Sequence, residues 1–222
     1  MNYNNTNDDV VKKNTSKNYK TAKKTKQQKQ RISEINRATK ETSVIIKLNI
    51  DGTGNTVINT GIFFLDHLIT SLGKHAMIDI NIQAKSHDGI IHHLIEDVGI
   101  SLAKGIDIAL GDRVGIRRYG FATIPMDECL STTSIDLIKR QFHRINFSLT
   151  RNEIEGISRE DMEHFINSFL QNLNACTHVK LEYGENDHHK IESMMKSFAI
   201  AFKMASSIDY QDNKIPSTKG MM

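Results

Sequence analysis

Two short stretches of this chain, "HHLIED" at His92–Asp97 and "HHKIES" at His188–Ser193, carry the same constellation: two adjacent histidines and a glutamate three positions after the second. Imidazole and carboxylate at this density point to metal-ligand chemistry. On a helix the first His and the Glu of each set are four apart, and the second His and the Glu three apart, so the side chains can converge at one helix end. Adjacent histidines project about 100° apart, however, and cannot easily serve one metal from one helix, so each pair reads as a bridge between two metals. His67 in "DHLITSL" and His164 in "EHFINSF" complete the sets. Those two segments match acid for acid, histidine for histidine and isoleucine for isoleucine, and His67 and His164 precede their HH pairs by similar intervals. With 10 His in the chain, chance would produce about 0.02 matches to HHxxE, so coincidence is set aside. A single histidine is ordinarily a helix cap or a pocket filler; two equivalent sets of ligand-type residues are not. His67, His92, His93, Glu96, His164, His188, His189 and Glu192 could form two sites of three nitrogens and one oxygen each, open to a substrate. Such donors suit Mn, Fe, Co, Ni or Zn better than Mg or Ca.

The elements that must hold these groups follow from hydrophobic periodicity. Val44, Ile46, Leu48 and Ile50 alternate with polar residues, and "DGTG" at Asp51–Gly54 reads as the turn of a hairpin. A short helix is predicted from about Ile62 to Gly73, then a strand through Ala76, Ile78, Ile80, Ile82 and Ala84. "HHLIEDVGISLAKGIDIALGD" is a helix with Ile95, Val98, Leu102, Ile106 and Ala109 on one side and Gly111 placed to end it. Strand-like segments at 115–124, 129–137 and 142–149 open the second half. A helix carrying Met162, Phe165, Ile166, Phe169 and Leu173 follows, then a strand at Val179, Leu181 and Tyr183, and a last helix from His188. The order repeats, which makes the chain a tandem duplication of one strand–helix–strand–helix unit.

At 222 residues and 38% hydrophobic, the chain can bury one sizeable core or two fused half-size units, and a soluble globular protein is expected. No stretch approaches the roughly 18 to 20 apolar residues of a membrane span, and no secretory signal opens the chain, so the expected compartment is the cytoplasm. Cys129 and Cys176 stand outside any CxxC pattern, which excludes a cysteine metal site. Residues 1–36 hold nine of the 29 Lys and Arg and only three of the 26 acids, a net +6 that leaves −3 for the remainder. That basic, polar stretch reads as a disordered, solvated tail rather than a nucleic-acid arm. The predicted organisation is the tail at 1–36, a first half at 37–114, a second half at 115–207 and a closing segment at 208–222.

From Arg37 to Met222 the sequence resembles the imidazoleglycerol-phosphate dehydratase family. The resemblance rests on "RATKETS", "TGIFFLDHL", "HHLIEDVGISL", "ALGDRVGIRRYGFATIPMDE", "EHF", "GENDHHKIE" and "IPSTKG", in that order. It implies an α+β fold of two similar halves, each a four-stranded sheet with two helices on one face, of the ribosomal protein S5 domain 2-like kind. It further implies two Mn(2+) per active site, with sites between the subunits of a 24-mer built from trimers. The eight residues named above become the metal ligands. Arg118, Arg140, Ser217 and Lys219 become phosphate contacts, consistent with the guanidinium forks and donors that a phosphate dianion requires. Glu41 and Asp127 match acids near the substrate, and His75 a histidine of the same pocket; His178 holds the corresponding strand start in the second half, where a structural role is equally open. The implied reaction removes water from imidazole glycerol phosphate to give imidazole acetol phosphate. Glu192 and Glu41 are the candidate bases for the carbon proton that is lost.

Two departures from the family pattern stand out. Many members carry two aspartates just before the first HH, where this chain has Ile90 and Ile91, and Asp88 is the acid that could support the ligands instead. Many members also have a glutamine where this chain has Ser71. "NIDGTG" resembles a phosphatase nucleophile motif, but Asn49 occupies the nucleophile's position. A dinuclear metallohydrolase of a small phosphate ester and a non-catalytic metal-binding shell are the alternative readings.

Overall fold

The computed structural model describes residues 30–209 and 214–217. Residues 1–29 of the expected tail, and Lys219, lie outside the described residues. The first half comprises β1 (Ile32–Ala38), β2 (Thr42–Asn49), β3 (Thr56–Asn59), α1 (Phe63–Ala76), β4 (Asp79–Ser86) and α2 (Ile91–Leu110). The second comprises β5 (Tyr119–Met126), β6 (Cys129–Asp136), β7 (Phe142–Asn146), a small hairpin of β8 (Glu153–Ile154) and β9 (Ile157–Ser158), α3 (Arg159–Asn172), β10 (Cys176–Tyr183) and α4 (Asp187–Ser206). The two four-stranded sheets have the orders β1-β2-β4-β3 and β5-β6-β10-β7, so the halves share one topology and the tandem α+β expectation holds. Among the described residues no helix is long and apolar enough to cross a membrane.

Two expectations need correction. The tail does not extend to residue 36, because Ile32–Ala38 pairs antiparallel with β2. Ser33, Ile35 and Arg37 turn inward, where Ser33 Oγ donates to Gly105 O at 2.7 Å and Arg37 Nε to Asp97 Oδ1 at 2.7 Å. Ile35 packs against the core, but an edge strand with two polar residues among three inward ones shows little apolar alternation, so periodicity missed it. The turn after β2 is not a hairpin either: β4 lies between β2 and β3, antiparallel to the former and parallel to the latter. Ile80 and Ile82 are fully apolar on the buried face, which favours the central position for β4, and a parallel β3–β4 pair requires the α1 crossover between them. Asp79 secures the crossover by accepting from the Thr53 and Asn55 amides at 2.8 and 2.9 Å.

Helix pairing sets the position of the site. α2 packs on the first sheet and α4 on the second, but α1 lies against α4, and α2 against α3. Each pair therefore takes one helix from each half, and the buried apolar residues form a single cluster across both. Small residues permit the close approaches: a Cβ on Gly99 of α2 would lie 3.0 Å from Phe165 O of α3. On the other side α4 meets β6 through buried hydroxyl pairs, Ser131 with Ser193 and Thr133 with Ser197, both at 2.7 Å. Met77, in the left-handed region at φ 60°, and Gly111 end α1 and α2.

Candidate metal centre

Because the helices pair across the halves, the histidine of each short helix meets the HH helix of the other half. His67 of α1 joins His188 and Glu192 of α4, and His164 of α3 joins His92 and Glu96 of α2; within each trio the donor atoms lie within 4.8 Å of one another. Glu192 is buried and lies centrally in its trio, with Oε1 3.6 Å from His67 Nε2 and Oε2 3.3 Å from His188 Nε2. In the second trio His164 Nε2 lies 3.6 Å from Glu96 Oε1, and the His92 and His164 rings stack at 4.3 Å.

The adjacent histidines diverge as helical geometry requires. The ring planes of His92 and His93 differ by 71°, and those of His188 and His189 by 89°. His93 falls in a separate group with Glu41 and Asp88, and His189 in another with Asp127 and Glu128. Within one chain each trio thus holds two imidazoles and one carboxylate, not the three nitrogens and one oxygen the sequence allowed.

Carboxylates hold the Nδ1 atoms of all four histidines of the HH pairs. The pairs are His92–Asp161 at 2.7 Å, His93–Asp88 at 2.7 Å, His188–Glu155 at 3.2 Å and His189–Glu128 at 2.7 Å. This bonding leaves Nε2 as the donor for an ion and is the usual way a ligating imidazole is oriented. The Ile90 amide and His93 hold the Asp88 carboxyl at about 2, and Asp88 in turn raises the pKa of His93. The Asn186 amide, then His189, pull Glu128 far below the usual carboxylate range. Burial opposes ionisation of Glu192, but Lys196, His67 and His188 outweigh it and its pKa is lowered. His164 Nε2 is buried without a hydrogen-bond partner, an arrangement that is costly unless the atom has another role. Imidazole Nε2 donors, an ionised carboxylate and this orphaned nitrogen fit a divalent transition metal.

The family model for imidazoleglycerol-phosphate dehydratase matches residues 60–202, the segment that holds all eight candidate ligands. The chain belongs to this family. The dehydratase of Chlorobium phaeobacteroides (strain BS1) is 43% identical over 193 residues, covering 86% of this chain and 96% of its own. That of Chlorobaculum parvum is 44% identical over 191 residues, covering 86% and 97%. Among solved structures, imidazoleglycerol-phosphate dehydratase from Staphylococcus aureus superposes with a TM-score of 0.73 at 31% identity, over 80% of this chain and 99% of that one. The Pyrococcus furiosus enzyme, in complex with (S)-C348, gives 0.70 at 29% identity, over 85% and 100%.

The remaining residues implied by the dehydratase resemblance are dispersed within one chain. Glu41, in the β1–β2 turn, has Oε2 3.8 Å from His93 Nδ1, and Asp127, at φ 47° in the β5–β6 turn, has Oδ2 3.5 Å from His189 Nε2. His75 is exposed in the last turn of α1; burial, then the charge of Lys196, lower its pKa. Arg118 forks onto Asp136 through Nε at 2.6 Å and a terminal nitrogen at 2.9 Å, and its other terminal nitrogen donates to Pro216 O at 2.8 Å. Arg118 thereby ties down the closing segment that contains Ser217. Arg140 is exposed between β6 and β7. His178 is exposed on the sheet, and its ring lies tilted against that of Phe142 with centroids 5.5 Å apart, a structural contact. Ile90 and Ile91 are exposed at the start of α2, where Asp88 holds His93.

Sequence reasoning missed Asp161, Glu155, Glu128 and Lys196. Only Lys196 left a local signal, at i+4 from Glu192, with Nζ 2.8 Å from its Oε1. Glu128 follows Asp127 directly but was not distinguished from it.

Proposed function

We propose that this chain removes water from imidazole glycerol phosphate to give imidazole acetol phosphate, the hydro-lyase step of its family in histidine biosynthesis. The observation that carries the reading is the pair of matching His-His-Glu trios, each with an ionisable carboxylate among imidazoles, in a chain of this family. His67, His188 and Glu192 would hold one Mn(2+), and His92, Glu96 and His164 the other. Bound metal would supply Lewis acidity at the imidazole nitrogens of the substrate, favouring its imidazolate form.

The chain's own groups carry the remaining steps. Glu192 lies buried beside Lys196 and is ionised at neutral pH, so it can accept the carbon proton if one oxygen is turned from the ion. Glu41 is the alternative base. It travels with His93 rather than with either trio of its own chain. A site of three imidazoles and one carboxylate therefore requires His93 or His189 of a second copy, and that copy would bring Glu41 or Asp127 with it. This supports a homo-oligomer with sites between subunits, which we assign as a 24-mer built from trimers. Arg118, Arg140, Ser217 and Lys219 would receive the phosphate; Arg118 retains N–H donors beyond those committed to Asp136 and Pro216.

The test is turnover by the metal-stripped protein before and after Mn(2+) is added, with imidazole acetol phosphate followed directly. Manganese-dependent product is expected. Release of inorganic phosphate instead would favour the hydrolase reading, and no product from a folded, metal-loaded assembly would overturn catalysis.

A further inference from the structure

The trio of His92, Glu96 and His164 draws on a residue that lies outside the HHxxE pattern and on a different helix. Asp161 sits in the first turn of α3, three residues before His164, so both side chains project from one helix face. Its Oδ1 lies 2.7 Å from His92 Nδ1. Its Oδ2 accepts from the Ser158 hydroxyl at 2.8 Å, while the Asp161 amide donates back to Ser158 Oγ at 3.0 Å. Ser158 is the N-cap of α3, so the cap that starts the helix also fixes the carboxylate that faces His92. α2 brings no such group of its own: its N-cap Ile90 makes no side-chain cap bond, its first turn holds no acid, and Asp88 is engaged with His93.

We infer that Asp161 is a positioning residue of the metal centre, holding His92 with a proton on Nδ1 so that Nε2 is presented to the ion beside His164. The inference rests on the metal-binding reading above. It makes α3 the source of both a ligand and the group that orients its partner ligand, across the boundary between the halves. An acid in the first turn of a helix also complements the helix dipole, and that role alone would affect stability without selecting one metal.

The experiment is a Mn(2+) titration of the metal-free full-length protein, with free ion read by electron paramagnetic resonance, for the wild type, Asp161→Leu and Asp161→Asn. The wild type is expected to bind two ions per chain. In Asp161→Leu one class of site should weaken about 10- to 100-fold while the other is unchanged. Asp161→Asn keeps the shape of the side chain and a neutral acceptor, and should fall between the two; it carries the test if the leucine variant does not fold. Wild-type affinities in the asparagine and leucine variants would overturn the inference, as would equal weakening of both classes. A wild type that binds no manganese would overturn the metal reading itself, a result distinct from a null effect confined to the variants.

Discussion

Lys196 Nζ lies 2.8 Å from Glu192 Oε1, one turn further along α4, at a carboxylate whose other oxygen is 3.3 Å from His188 Nε2. The buried acid is thus compensated by a cation before any metal is considered. Replacing Lys196 by Met should destabilise the metal-free protein by about 1–3 kcal/mol, since it leaves a buried charge short of its partner. Manganese would restore the missing positive charge, so the loss of Tm should be smaller in the loaded protein. Equal losses in both forms would show that Lys196 acts through packing alone.

Glu192→Gln keeps the size and hydrogen-bonding shape of the side chain but removes its ability to take a proton. Turnover should fall by about 10²- to 10⁴-fold, while far-UV circular dichroism and the size of the assembly remain those of the wild type. Normal turnover in this variant would remove Glu192 from the chemistry and leave Glu41 as the base.

Arg31 forks onto Asp51 at the junction of β2 with its following turn and also donates to Ser206 O at 2.8 Å, joining the first strand to the end of α4. Burial alone would raise the Asp51 carboxyl, but the Arg31 hydrogen bonds and charge prevail, and its pKa lies below the ordinary value. A lowered folded-state pKa means that the stabilisation is present above the unfolded value and is lost as pH falls through the folded one. Asp51→Asn should therefore lower stability by about 1 kcal/mol at pH 7. The gap in Tm between variant and wild type should close below about pH 4. A gap that persists at pH 2 would assign the effect to something other than this ion pair.

Gly120 lies where β5 passes under α4, and a Cβ there would fall 1.9 Å from Ala201 O. Backbone cannot yield as a flexible side chain does. Gly120→Ala should cost about 3 kcal/mol or more, measured as a large fall in Tm or in the yield of folded protein, whereas Gly156→Ala meets nothing within 4 Å and should show only the milder strain of its positive φ.

Much of the fold could be read from periodicity, because one-sided burial imposes a period of two on strands and 3.6 on helices. Ile46, Leu48, Ile80 and Ile82 on the sheet and Ile95, Val98, Leu102 and Ile106 on α2 are all buried as their spacing predicts. β1 escaped because two of its three inward residues, Ser33 and Arg37, meet polar partners, leaving Ile35 as its one inward apolar residue. The order β1-β2-β4-β3 escaped because strand pairing is non-local: nothing in "DGTG" specifies whether the chain turns back on β2 or crosses to the far side of β4.

The candidate site divides along the same line. The repeated HHxxE motif and the matched His67 and His164 were determined by sequence alone, since helical geometry fixes which side chains of one segment can converge. That His67 lies with His188 and Glu192, and His164 with His92 and Glu96, was decided only by the tertiary structure, through the packing of α1 on α4 and α2 on α3. The carboxylates behind the imidazoles were decided there too: Asp161 lies 69 residues from His92, and Glu128 lies 61 from His189. A hydrogen bond has no sequence signature when its partners are brought together by the packing of two separate elements, so residue types and spacing supply the candidate ligands and tertiary packing selects their companions.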